Sequence, residues 1–152
     1  MRKEFVMRGK TVSGSTEVLN FSGFKPGLAY RMTEFSLYPS NDIGSKAYDL
    51  LATVSAGKTA IDPLDPNFND EALVATSMLL VKDAAPTHPY GGATAHAVIN
   101  DTFLITQNLI LKVADVASST SPVNWQCRFE SVKMSGPEEA VTNYRQFAIS
   151  DE

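Results

Sequence analysis

Along residues 123–132 apolar and polar side chains alternate with a period of two. Val123, Trp125, Cys127 and Phe129 share one face, and Asn124, Gln126, Arg128 and Glu130 share the other. A half-buried β-strand requires this, because successive side chains of an extended chain point to opposite sides. The whole stretch 98–134 reads as two or three long strands joined by polar turns. Residues 29–38, AYRMTEFSLY, are rich in aromatic and β-favouring residues and stop at Pro39, which has no N–H for a ladder, so a strand is predicted there as well. In residues 48–55, Tyr48, Leu50, Ala52 and Val54 alternate with Asp49, Leu51, Thr53 and Ser55 until Gly57 closes the run. A helix over 46–51 competes with that reading, and the β-branched Thr53 and Val54 decide for a strand.

Residues 72–82, ALVATSMLLVK, are mostly apolar and fit either a buried strand or a helix; we read them as a strand. Shorter strands are expected at 4–7, 17–21 and 95–99. Between them lie turn-forming segments: the small polar run 11–16, SGFKPG with its Pro26-Gly27 break, PSNDIGSK, IDPLDPNFND and DAAPTHPYGGAT. The period changes near the end. Ser135 or Gly136 can cap a helix that starts at Pro137, Glu138 and Glu139 then lie in its first turn where the dipole favours anions, and Val141, Tyr144 and Phe147 fall on one stripe. A helix of about three turns that packs on the sheet or bridges to a neighbour is expected.

Eight or so short strands with regular turn signals and no helical crossovers predict one all-β domain over residues 1–152. The expected architecture is an antiparallel β-sandwich with a short C-terminal helix, and the strand count suits a jelly roll. The expected core is Phe35, Leu37, Val54, Leu79, Ile105, Leu109, Leu111, Trp125, Phe129 and Tyr144.

A chain of 152 residues can bury about 70% of the surface of its unfolded form, so it needs no covalent staple. The one cysteine, Cys127, lies on the apolar face of its strand, where a small-hydrophobe role is expected rather than that of a nucleophile. The opening MRKEFVMRGK interrupts its apolar residues with charges before a signal-peptide core forms, and no apolar run approaches about 20 residues, so a cytosolic site of synthesis without a membrane span is expected. The net charge of −4 is uneven: the first ten residues carry Arg2, Lys3, Arg8 and Lys10 against Glu4, a net +3 that leaves −7 for the rest. Nucleic acid is therefore expected to meet at most the basic N-terminal segment, and weakly.

Candidate chemistry is sparse. ATVSAGKT, residues 52–59, ends like a phosphate loop but has Ala52 where the first glycine belongs, and Pro63 follows too soon for the helix that would face a phosphate. A plain turn at Gly57 is the better account. Asp62, Asp65, Asn67, Asn69 and Asp70 cluster hard oxygens that could hold calcium, yet Asp70 and Thr76 stand where the helix-loop-helix calcium motif needs glycine and glutamate. A metal-free Asx/Pro loop is the expectation, with no metal and no cofactor. His88 and His96 have no nearby cysteine or second histidine pair to complete a zinc set, no nucleophile elbow is present, and no catalytic residue is assigned.

The closing section, INDTFLITQNLILKVADVASSTSPVNWQCRFESVKMSGPEEAVTNYRQF, resembles the end of small capsid-associated β-sandwich proteins of marine bacteriophages and environmental viruses. In these a VNW-x-x-R-x-E strand leads to a methionine and serine and then to a short acidic helix. The resemblance covers residues 98–147, and its residues are structural. It implies a jelly-roll or similar sandwich that coats or decorates a virion, is assembled in the host cytoplasm, and has copies of itself and other capsid proteins as partners. Loops 62–70 and 83–94 would then form lateral contacts, and the protein would be no enzyme. The competing expectation is a lectin-like carbohydrate-binding sandwich with calcium in the Asx loop and Tyr30, Tyr38, Tyr90 or Trp125 stacking on sugars.

Overall fold

The computed structural model describes residues 3–21, 27–41, 43, 47–82, 92–117, 121–137, 141, 142, 144 and 149. Eight strands follow in chain order: β1 (Glu4–Val12), β2 (Thr16–Leu19), β3 (Leu28–Tyr38), β4 (Tyr48–Ala56), β5 (Leu73–Lys82), β6 (Gly92–Ile99), β7 (Leu109–Asp115) and β8 (Pro122–Lys133). They build two sheets, a three-stranded one in the order β1-β8-β3 and a five-stranded one in the order β2-β7-β4-β5-β6. Every named pair is antiparallel. The expected all-β antiparallel sandwich is what forms.

The alternation in β8 sets the three-stranded layer. Phe5, Met7, Gly9 and Thr11 of β1 stand opposite Phe129, Cys127, Trp125 and Val123, and Met32, Phe35 and Leu37 of β3 flank Phe129, Cys127 and Trp125 from the other side. The β8 and β3 side chains of this set meet Leu50, Ala52 and Val54 of β4, Leu79 of β5 and Leu109, Leu111 and Val113 of β7 in one buried cluster, against which Phe5 and Met7 pack. At one end Phe5, Phe21, Tyr30 and Phe129 pack ring on ring: Phe21 meets Phe129 edge-on at 5.0 Å, Phe5 meets Tyr30 edge-on at 5.3 Å, and Phe5 stacks on Phe129 at 5.4 Å. Such offset and edge-to-face contacts contribute beyond the area they bury.

Gly9 has a steric cause. A Cβ there would lie 2.8 Å from the Trp125 ring, so the strand can pass beneath the indole only without a side chain. The indole N–H then donates to the Thr11 hydroxyl at 3.0 Å, which satisfies the one polar atom of a buried ring.

Nine of the ten expected core residues are buried: Phe35, Leu37, Val54, Leu79, Ile105, Leu109, Leu111, Trp125 and Phe129. Tyr144 is the exception. Its side chain is 74% exposed and Val141 is also exposed, so these two residues of the expected C-terminal stripe face solvent instead of the sheet. A three-residue stripe carries little apolar area to force docking, while Ile149 packs against the core. Phe147, Glu138 and Glu139 lie outside the described residues.

Several boundaries also move. The polar run expected to turn from residue 11 stays extended to Val12, because Thr11 and Val12 pair with Val123 and Pro122, and the turn falls at Gly14 with φ 84°. β6 begins at Gly92 rather than residue 95, because its backbone pairs with β5 as far as Lys82. The stretch 98–134 resolves into the end of β6 and the whole of β7 and β8.

Candidate functional site

Among the described residues, those singled out in the sequence do not converge. Asp62, Asp65, Asn67, Asn69 and Asp70 lie exposed in the loop between β4 and β5. Three of them close Asx turns: Asp62 Oδ1 accepts from the Leu64 N–H at 3.0 Å, Asn67 Oδ1 from Asn69 at 3.0 Å, and Asp70 Oδ1 from Ala72 at 2.9 Å. Short polar side chains bonding their own backbone are the turn chemistry of such a sequence. Among the described residues no three of His, Cys, Asp or Glu gather as a cation set.

The GKT segment follows the end of β4 as a bend centred on Gly57, whose φ is 116°, and no helix succeeds it. His96 is exposed on β6, and His88 lies outside the described residues. Of the aromatics a sugar-binding face would use, Tyr30 and Trp125 are buried in the core and Tyr38 is 62% exposed, while Tyr90 lies outside the described residues. Cys127 is buried, and burial pushes its thiol far up from the ordinary range.

What the fold does create is two unlike outer faces. On the three-stranded sheet the outward positions are Glu4, Val6, Arg8 and Lys10 of β1, Glu130, Arg128, Gln126 and Asn124 of β8, and Arg31, Glu34, Ser36 and Tyr38 of β3. Five of these charges, Arg31, Glu130, Arg128, Glu34 and Glu4, pair with one another. Arg31 forms a hydrogen-bonded ion pair with Glu130, a carboxylate that is itself buried, and Arg128 reaches Glu34 at 3.4 Å and Glu4 at 3.9 Å.

The five-stranded sheet differs. The cross-strand register aligns Ala114, Leu51, Met78 and His96 in one outward row and Lys112, Thr53, Thr76 and Val98 in the next. Val18 and Ile110 pair on the β2 side, and Val18 is 62% exposed. The loop after β4 folds over part of this face. The Thr53 hydroxyl donates to the Ile61 carbonyl at 2.6 Å, and Pro63 is buried with it. Beside that loop a groove of about 400 Å³ runs between Phe68, Asn69, Asp70 and Glu71 on one wall and Val74, Thr76 and Val98 on the other. Phe68, Met78 and Val98 remain exposed apolar groups around it.

The sandwich is also open along one side. β3 and β6 are end strands of different sheets, and between them a depression of about 230 Å³ is lined by Phe35, Ser36 and Leu37 on one side and Ala95, His96 and Ala97 on the other. Ser77 of β5 bridges it by donating its hydroxyl to the Phe35 carbonyl at 3.2 Å.

No protein-family model matches the chain, and no curated protein or solved structure matches it either. No helix among the described residues is long and apolar enough to cross a membrane. The fold offers a paired polar face, a less charged apolar one and open strand edges. The apolar row was present in the sequence as Leu51, Met78 and Leu80, which break the polar alternation of β4 and β5, but the sequence alone reads such a run as burial within the chain.

Proposed function

We propose that this protein is a structural assembly protein, a coat, minor capsid or decoration component of a virion, that works by symmetric contacts between copies. The observation that carries the reading is the outer face of the five-stranded sheet, where Val18, Met78 and Val98 stand exposed, Leu51 is half-buried between them, and exposed Phe68 and Val98 line a groove beside the loop. Exposed apolar surface of this kind, rimmed by polar residues, marks interaction sites.

The finer architecture in this reading is a jelly roll. An eight-stranded jelly roll interleaves strands 1, 8, 3 and 6 in one sheet with 2, 7, 4 and 5 in the other. The orders β1-β8-β3 and β2-β7-β4-β5 follow that plan, with β6 bonded to β5 in place of β3. The reading includes a short C-terminal helix, supported by helical backbone at Gly136, Pro137, Val141, Thr142, Tyr144 and Ile149. Its partners are copies of the chain and other capsid proteins, its place is the virion after assembly in a host cytoplasm, and its role is non-enzymatic. The resemblance of residues 98–147 to phage capsid-associated sandwiches supports the same reading.

Light scattering on size-fractionated protein, together with mass spectrometry of purified particles, tests it. Concentration-dependent oligomers and peptides of this chain in particles are expected. A species that stays monomeric at high concentration and is missing from particles overturns the reading.

A further inference from the structure

Four strands end the two sheets, and three of them carry devices that discourage further pairing. β2 is only four residues long and carries Glu17. β1 carries Glu4, Arg8 and Lys10. β3 has Arg31 and Glu34 beside a register shift between Met32 and Glu34, and its backbone is partly engaged, since Tyr30 exchanges hydrogen bonds with Ile105 at 2.9 and 2.6 Å and Phe35 accepts from Ser77. Short length, charge, bulges and capping contacts are the means by which proteins blunt exposed edges.

β6 has none of them. Its sequence GATAHAVI holds no Lys, Arg, Asp, Glu or Pro, it runs eight residues, and its pairing with β5 is unbroken from Lys82↔Gly92 to Ala75↔Ile99. Ala95 and Ala97, which point to the core side of the sheet, are exposed, because β3 covers β6 incompletely. Among the described residues no strand pairs with the outer side of β6, and an uncharged, regular edge with small inward side chains presents its backbone donors and acceptors there.

We propose that β6 is a self-pairing edge, on which a second copy adds its own β6 antiparallel across a twofold axis and joins two five-stranded sheets into one. A second copy is the occupant that fits. An antiparallel pair of identical edges is self-complementary, because the twofold sets each strand's donors against the other's acceptors. The absence of formal charge on β6 lets two copies meet there despite a net charge of −4 on each. Exposed Met78 and Val98, on the outer face beside the edge, extend the contact past the backbone. The inference rests on the self-assembly reading and adds to it the edge that is used.

Hydrogen–deuterium exchange over a concentration series, with sedimentation velocity on the same samples, tests it. The edge-facing amides of Ala95, Ala97 and Ile99 are expected to slow as association proceeds, by roughly fivefold when total protein is ten times the dissociation constant, while those of β2 stay unchanged. Ala97→Lys places an inward charge on the edge and is expected to leave a folded monomer, with Ala95→Lys as the second variant should the first lower the melting temperature; Thr16→Lys, on the opposite edge strand β2, is expected to associate like the parent. Association without slowing at β6, or undiminished in both folded lysine variants, sinks the β6 edge and leaves assembly standing by another surface. A wild-type monomer throughout overturns the edge, and if the chain is also missing from particles the assembly reading falls with it.

Discussion

The two sheets share one core and present opposite surfaces. On the three-stranded sheet Arg31, Glu130, Arg128, Glu34 and Glu4 form a ladder of paired charges, with Glu130 drawn into the protein beneath Arg31. On the five-stranded sheet the corresponding rows hold Leu51, Met78, Thr76 and Val98, with charge confined to residues such as Lys112 and Asp49. A surface whose charges are satisfied by their neighbours gains little from a partner, whereas exposed apolar area gains from any contact that removes it from water. The difference teaches that the two outer faces of one sandwich can differ in how their polar and apolar groups are satisfied, the three-stranded face by ion pairs within itself and the five-stranded face with apolar side chains left toward solvent.

The comparison breaks most completely through the shared core. Phe129→Ala removes the ring on which Phe5 and Phe21 pack and is expected to cost about 3–5 kcal/mol by denaturant unfolding, which would compromise both faces together. A loss below about 1 kcal/mol would show that the aromatic cluster is not what joins the sheets. Next in size is Arg31→Ala, which leaves the buried Glu130 carboxylate without its cation. A loss of about 1–3 kcal/mol is expected, and Glu130→Gln in the same background should restore part of it.

Cys127 gives a pH-dependent check of the core between the faces. Burial raises the folded thiol's pKa, so the folded state holds its proton where the unfolded thiol, near 8.5, releases it. That contribution to stability is therefore present below about pH 8.5 and declines above it, by up to about 1.4 kcal/mol per pH unit. A Cys127→Ala variant should lack this part of the slope, and the native thiol should resist alkylation until the chain unfolds.

The smallest effects sharpen the contrast directly. Glu34→Ala breaks an exposed pair with Arg128 and should change stability by about 0.2–1 kcal/mol, less at high salt. Met78→Glu on the other face should change monomer stability by no more than about 0.5 kcal/mol while weakening self-association measured by light scattering. Unchanged association in Met78→Glu would remove that row from the contact surface.

How far the fold was legible follows from which rule acted at each residue. Val123 to Glu130 announced their two faces because strict alternation has one reading in a half-buried strand. The Asx loop was legible for a similar reason, since Asp62, Asn67 and Asp70 bond locally whatever surrounds them. Tyr144 was misplaced because a helical stripe states which residues share a side and not whether that side finds a partner. Met78 and Val98 were seen as apolar but not as exposed, since exposure depends on how far a neighbouring loop and strand reach across them.

The sequence by itself determined the antiparallel β character, most of the inward-facing residues and the turn chemistry, because period, propensity and local hydrogen bonding act over a few residues. Only the tertiary structure decided the rest: that β8 lies between β1 and β3, that β6 is the last strand of the larger sheet among the described residues, and that Gly9 clears the Trp125 ring. Those outcomes come from pairings between strands more than a hundred residues apart in some cases, as between Glu4 and Glu130. Such pairings are settled by which apolar faces can close on one another, a property of the whole chain and not of any segment.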